Sequence, residues 1–242
     1  MKEFIVCSLL FLLVSCNNND SLFVSLPSNK TQIKFQNNLT STTDLNILNY
    51  LYYYNGAGVA AADFNNDGLA DLYFTGNQTA DKLYLNTGGL QFKDITKQAL
   101  INNSTPWTTG VTTVDINNDG FLDIYICKIG AHNSIKGNNL LYINEGPDIN
   151  GIPRFKEAAS FYGLDIASFA TQASFFDYDK DGDLDLFLMN HSLYSNSNYG
   201  KGSIRTEVDQ MSGDKLFENK QGKFEDVTSQ SGIFQGKIGY GL

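Results

Sequence analysis

The residues of this sequence best placed to do chemistry are its carboxylates. "DYDKDGDLD", Asp177 to Asp185, packs five of them into nine residues. Like charges about 4 Å apart repel by roughly 4 kcal/mol per pair at an effective dielectric near 20, so such side chains converge on a cation or splay into water. Two more stretches share the frame, "DFNNDGLAD" (Asp63 to Asp71) and "DINNDGFLD" (Asp115 to Asp123). All three put acidic or amide oxygens at positions 1, 3, 5 and 9, and glycine at position 6, where a sharp turn is needed. Position 7 can offer a backbone carbonyl. These are the components of a hard-cation site built from oxygen ligands. A solvated turn is the alternative for any one loop, but three copies in frame favour the cation.

The charge balance agrees. The loops hold three, three and five Asp while the whole chain nets −9, so the acidity is local and three divalent ions would bring the balance to −3. An acidic solvating tail would be one uninterrupted charge run poor in aromatics; here 42% of residues are hydrophobic and 13% aromatic. Net negative charge without a basic stripe argues against nucleic acid as a partner. A calcium sensor of the EF-hand type needs a bidentate Glu at position 12 and flanking helices, yet position 12 is Phe74, Ile126 and Leu188, each in a strand-like run. The ions are therefore expected to be structural.

The elements that position the loops repeat with them. A short apolar run precedes each loop ("GVAAADF", "GVTTVDI", "ASFFDY") and another follows ("DLYFTG", "DIYICK", "DLFLMN"). A third run reads "KLYLN", "LLYIN" and "KLFEN", and a fourth "FKDIT", "FKEAA" and "FEDVT". Four short strands per unit, separated by Gly, Asn and Asp turns, predict an all-β fold of propeller blades. The first two strands are almost wholly apolar, as expected where neighbouring blades cover both faces, and the fourth is mixed, as expected of an outer strand. The loops start 52 and then 62 residues apart, and much of the growth lies between strands two and three. Those connections emerge on the rim opposite the Asp loops, at 76–81, 128–138 and 190–214, and length variation of this kind marks a recognition surface.

The expected organisation is a leader over 1–15, a polar tether over 16–30, lead-in strands over 31–57, blades over 58–105, 106–168 and 169–234, and the start of a fourth blade over 235–242. Lys2 precedes an apolar run from Phe4 to Val14, too short to span a bilayer and suited to a signal peptide. It ends in "LVSC", which resembles the lipobox of bacterial lipoproteins and makes Cys16 the expected site of lipidation; an ordinary secretory signal or a buried N-terminal strand is the alternative. Cys127, inside "DIYICKI", is expected to be a buried strand residue. Three blades are fewer than the roughly four to eight of a closed propeller, so these residues are expected to form an incomplete one that self-associates.

The three loops, the "GxxxxD" approach at Gly58 and Gly110, and the closing "FKDIT" and "FEDVT" resemble FG-GAP or VCBS repeats, the blades of integrin alpha-subunit propellers. "YYYNGAGVAAADFNNDGLADLYFTGNQ" followed by "KLYLN" is similar to bacterial lipoproteins of the cartilage acidic protein type. The resemblance covers about Phe23 to Leu242 and implies a calcium-stabilised propeller, seven-bladed in the integrin relatives, with three blades here. The ligands it implies are Asp63, Asn65, Asp67, the Leu69 carbonyl and Asp71. The second set is Asp115, Asn117, Asp119, the Phe121 carbonyl and Asp123, and the third is Asp177, Asp179, Asp181, the Asp183 carbonyl and Asp185.

The leading functional expectation is a lipid-anchored binding or adhesion module of the cell envelope, an outer-membrane lipoprotein facing the periplasm or the surface. It would engage a glycan or protein through the rim opposite the calcium loops and touch the membrane only through its anchor. The alternative is an envelope polysaccharide lyase or hydrolase using that rim, which His132 and His191 are both expected to reach. No nucleophile, base and orienting group is recognisable in the sequence. The aromatic run Tyr50 to Gly56 is expected to pack in the core or between blades more than to stack sugars. Trp107 is a better candidate for an exposed ring, with burial still the favoured reading.

Overall fold

A computed structural model describes residues 22–102, 107–192 and 209–233. The leader with Cys16, and the start of a fourth blade, lie outside the described residues. Three four-stranded antiparallel sheets dominate. The first runs β1 (Val59–Ala62), β2 (Asp71–Phe74), β3 (Lys82–Asn86) and β4 (Phe92–Asp94) in spatial order. The second uses β5 (Thr108–Val114), β6 (Asp123–Lys128), β9 (Leu140–Pro147) and β10 (Pro153–Glu157), with a small hairpin, β7 (Ala131–His132) and β8 (Ile135–Lys136), between β6 and β9. The third is β11 (Ala170–Phe176), β12 (Asp185–Asn190), β13 (Lys215–Asn219) and β14 (Phe224–Asp226). Each sheet has the order and pairing expected of a propeller blade. Among the described residues the helices are single turns: α1 (Ser28–Thr31), α2 (Ala159–Tyr162) and α3 (Thr228–Ser231).

Burial explains the apolar runs. All six residues of β6 are buried, and alternate side chains serve different cores. Ile124 and Ile126 pack with Ala60, Phe64, Tyr73 and Leu83 of the first sheet. Tyr125 and Cys127 pack with Ala170, Ala173, Leu186 and Leu188 of the third. A strand covered on both faces has no use for alternation. Cys127 is fully buried and burial raises its thiol pKa, so it behaves as a small apolar residue.

The "GxxxxD" glycines act at the joints between sheets. A Cβ on Gly58 would lie 2.9 Å from the Thr109 carbonyl oxygen of β5, and one on Gly110 would lie 2.3 Å from the Thr171 carbonyl oxygen of β11. Glycine thus lets the inner strand of the next sheet approach closely. The matching position of the third sheet holds Gln172, whose side chain lies over Gly110.

The lead-in departs from expectation. Residues 32–57 contain no strand; they form turns and extended chain. Side-chain amides bind this segment in place of a ladder. Asn37 and Asn77 exchange two hydrogen bonds, Asn37 Nδ2 to Asn77 Oδ1 at 2.8 Å and Asn77 N to Asn37 Oδ1 at 3.0 Å. Gln78 Oε1 accepts from Thr40 N, and Asn133 Nδ2 donates to the Asp44 carbonyl. A third apolar cluster of Leu45, Tyr50, Tyr53, Trp107, Ile129, Ile135 and Phe169 seats the lead-in on the rim away from the Asp loops. Trp107 is therefore no exposed ring: it is 1% exposed, with Tyr50 and Tyr53 centroids 5.4 and 5.5 Å away.

Candidate metal centres

Each Asp loop closes the hairpin between the first two strands of its sheet, with Ala62 opposite Asp71, Val114 opposite Asp123 and Phe176 opposite Asp185. The ninth residue of the frame is thus also the first residue of strand two. Position 4 is left-handed in all three loops (Asn66 φ 58°, Asn118 φ 55°, Lys180 φ 68°), and so is the glycine at position 6 (φ 87°, 86° and 99°). Asn tolerates that conformation better than Lys.

Hydrogen bonds repeat from loop to loop. The position 1 carboxylate folds the loop around itself: Asp63 accepts from Asp67 N and Gly68 N, Asp115 from Asp119 N and Gly120 N, and Asp177 from Asp181 N and Gly182 N. The position 5 carboxylate accepts from the N–H of position 7 at 2.9, 2.8 and 2.9 Å. The position 9 carboxylate brackets the sheet. Asp71 accepts from Phe64 N and Asn86 N, Asp123 from Ile116 N and Asn144 N, and Asp185 from Tyr178 N and Asn219 N. Those three asparagines then donate from Nδ2 to the carbonyls of Ala70, Leu122 and Leu184. Their recurrence is visible as the Asn ending "KLYLN", "LLYIN" and "KLFEN"; their role is not, because it needs the spatial pairing.

Two observations bear on a cation. Ligand oxygens of Asp177, Asp179 and Asp185 lie within 4.8 Å of one another; Asp181 is not in that cluster. In the first loop Asn65 donates from Nδ2 to Asp67 Oδ2 and to the Gly151 carbonyl, both at 3.0 Å, which leaves Oδ1 buried without a hydrogen-bond partner. An orphaned buried acceptor is costly, and a hard cation would satisfy it. Burial pushes the Asp71 and Asp123 carboxyls up to about 6; hydrogen bonds from Asn86 and Phe64, or from Asn144 and Ile116, oppose this, and the neighbouring Asp67 and Asp63, or Asp119 and Asp115, add to it. In both loops burial, more than the neighbouring carboxylates, disfavours the charged form of the ninth Asp. An all-oxygen donor set of this kind suits calcium or magnesium.

The opposite rim brings both histidines to one place. His191 is buried, its Nε2 3.2 Å from the Tyr50 hydroxyl and its Nδ1 3.1 Å from Thr171 Oγ1. His132 Nε2 lies 3.0 Å from the Asn49 carbonyl, and the His132 ring sits 5.1 Å from that of Tyr50. Desolvation first, then His132, pushes the His191 imidazole down to about 4, against the hydrogen bond at the Phe169 backbone. Its unfolded pKa is near 6.5, so below pH 6.5 the unfolded chain binds a proton that the folded chain refuses. Stability is therefore present above pH 6.5 and falls as pH drops towards 4, by about 3 kcal/mol in all. In denaturant titrations in chelator at pH 7, 5.5 and 4, the stability of the wild type relative to His191→Gln should fall by this amount as the pH is lowered. Asp71 and Asp123, which act in the opposite direction, cancel in that comparison; parallel pH profiles would reject the assignment.

Residues 63–126, from the first Asp loop into β6, match the FG-GAP-like repeat family. The chain is also similar to cartilage acidic protein 1 of Homo sapiens, 33% identical over 136 residues that cover 55% of this chain and 20% of that protein. The Mus musculus protein of that name is 32% identical over 136 residues (55% and 20%), and the Xenopus tropicalis protein 32% over 139 residues (56% and 21%). The chain thus spans about a fifth of the length of these curated relatives. Among the described residues, no helix is long and apolar enough to cross a membrane.

Proposed function

We propose that this chain is a calcium-stabilised, lipid-anchored β-propeller segment of the cell envelope that acts as a binding or adhesion module for a glycan or protein. The carrying observation is the division of labour between its rims. One rim repeats a single oxygen-lined loop three times. The other holds unlike connections, aromatic rings and amides around the lead-in, and variation on a uniform scaffold is the usual mark of recognition. The FG-GAP-like match supports a repeat scaffold of the integrin kind. Calcium is supported by the oxygen donors and by the orphaned Asn65 Oδ1.

The alternative, a polysaccharide lyase or hydrolase, would draw on His132 and His191. Both ring systems are engaged in contacts with the lead-in and the start of the third sheet, and among the described residues neither is set beside a nucleophile with an orienting carboxylate in the manner catalysis requires.

A binding screen of glycans and envelope proteins, with and without calcium, tests the function. Saturable capture that weakens in chelator is expected; turnover of a polysaccharide lost in His191→Ala would replace binding with catalysis. Labelled fatty acid tests the anchor. Incorporation into the wild type and its loss in Cys16→Ala are expected, and equal labelling of the two would end the lipoprotein assignment.

A further inference from the structure

The rim away from the Asp loops contains a cavity of about 320 Å³. It lies where the inner strands begin, at Gly58 before β1, Thr109 and Gly110 in β5, and Thr171 and Gln172 in β11. The lead-in closes it from the other side with Tyr50, Tyr52 and Asn55. This volume is at the small end of ligand sites, which run from about 300 to 1,000 Å³, and suits one ring rather than an extended chain.

Its lining is uncharged and two-sided in character. No Asp, Glu, Lys or Arg is among the described lining residues, and His191 is neutral at pH 7 with its imidazole pushed down to about 4. Aromatic surface comes from Tyr52, half-buried with its ring 4.1 Å from that of His191, and from Trp107 and Tyr50 behind it. Hydrogen-bonding capacity comes from two exposed side-chain amides. The Asn55 amide makes no hydrogen bond within the described residues, and Gln172 holds only long contacts, 3.3 Å to Thr112 Oγ1 and 3.5 Å to the Val111 carbonyl. Gln172 stands where the other two sheets have glycine, so its amide is an addition to the repeat. Trp107 is held at φ 68°, a left-handed conformation uncommon for a bulky residue. It is pinned there by bonds from its N–H to the Asn77 carbonyl and from Ile129 N to its own carbonyl. Such backbone strain clusters at ligand sites.

We infer that this cavity binds a single neutral sugar ring, the C–H face against Tyr52 and the hydroxyls shared between the Asn55 and Gln172 amides. An anion would find no cation there, a cation no carboxylate, and a wholly apolar ligand would leave both amides unpaired. The inference rests on the binding-module reading and locates its ligand.

Trp107 is the single tryptophan of the chain, so its emission reports on this cavity directly. The full-length protein in calcium is titrated with methyl glycosides of neutral hexoses. A saturable emission change at about millimolar concentration, an affinity of about −4 kcal/mol, is expected, with no response to a uronic acid. Asn55→Ala and Gln172→Ala, both exposed and expected to fold, should each weaken binding about 3- to 10-fold, the worth of a neutral hydrogen bond. Tyr52→Leu should abolish it. Absence of saturation by every glycoside, or wild-type affinity in the Asn55→Ala, Gln172→Ala double variant, overturns the inference. If that double variant still captures a glycan in the wider screen, the inference falls alone and the binding-module reading stands.

Discussion

Calcium added to the chelated protein is expected to raise its melting temperature by about 8–16 °C. At a dissociation constant of about 0.1 mM, millimolar calcium stabilises by roughly 1.4 kcal/mol per site, so three sites give about 4 kcal/mol. Each kcal/mol moves the midpoint of a chain this size by about 2–4 °C. Calorimetry should find about three ions taken up, and Asp119→Ala should remove one and reduce the shift by about a third. An identical melting curve in excess chelator, or no uptake, would reject calcium at these loops.

The second large effect belongs to Asp81, just before β3. It is 2% exposed and accepts from the Tyr73 hydroxyl at 3.1 Å and from Gly76 N at 2.9 Å, with the Thr108 hydroxyl 2.7 Å away. Its charge also supports Lys128, fully buried in the second sheet, whose ammonium burial pushes down to about 8 against the pull of Asp81. Asp81→Ala removes these acceptors and leaves a buried cation without that counter-charge, a loss of about 3–5 kcal/mol. Thermal unfolding in calcium should fall by about 10 °C. Asp81→Asn should cost less, because Asn139 holds the matching place in the second sheet and accepts from Lys128 N at 2.8 Å. Adding Lys128→Met to Asp81→Asn should recover part of the loss. A drop below about 1 kcal/mol for Asp81→Ala would show that the network contributes little.

The sheets and the Asp loops were legible in the sequence because their signals are local and repeated. Loop frame, glycine and flanking apolar run sit within about twenty residues of each other, and each recurs. The lead-in was not legible. Its conformation is set by contacts such as Asn37 with Asn77, 40 residues apart, and Tyr50 with His191, 141 apart, which leave no periodicity. The burial of Trp107 belongs to the same cluster. The bracketing asparagines fall between these cases, visible as a repeated letter whose partner only the fold supplies. The cavity was beyond sequence reasoning, since it joins the lead-in to the starts of strands in three sheets.

The bracket has an evolutionary consequence. In each sheet the ninth Asp, the Asn ending the third strand and the residue before that strand bond to groups of their own sheet, and two of them also reach a neighbour, Asp81 to the Thr108 hydroxyl and Asn144 to the Phe64 carbonyl. A duplicated or deleted unit therefore carries most of this wiring with it, and what must be matched afresh is the glycine-lined joint and the few side-chain bonds that cross it. Lineages can lengthen or shorten such an array one unit at a time while each intermediate stays foldable. Paralogues should accordingly differ by whole units more readily than by partial ones.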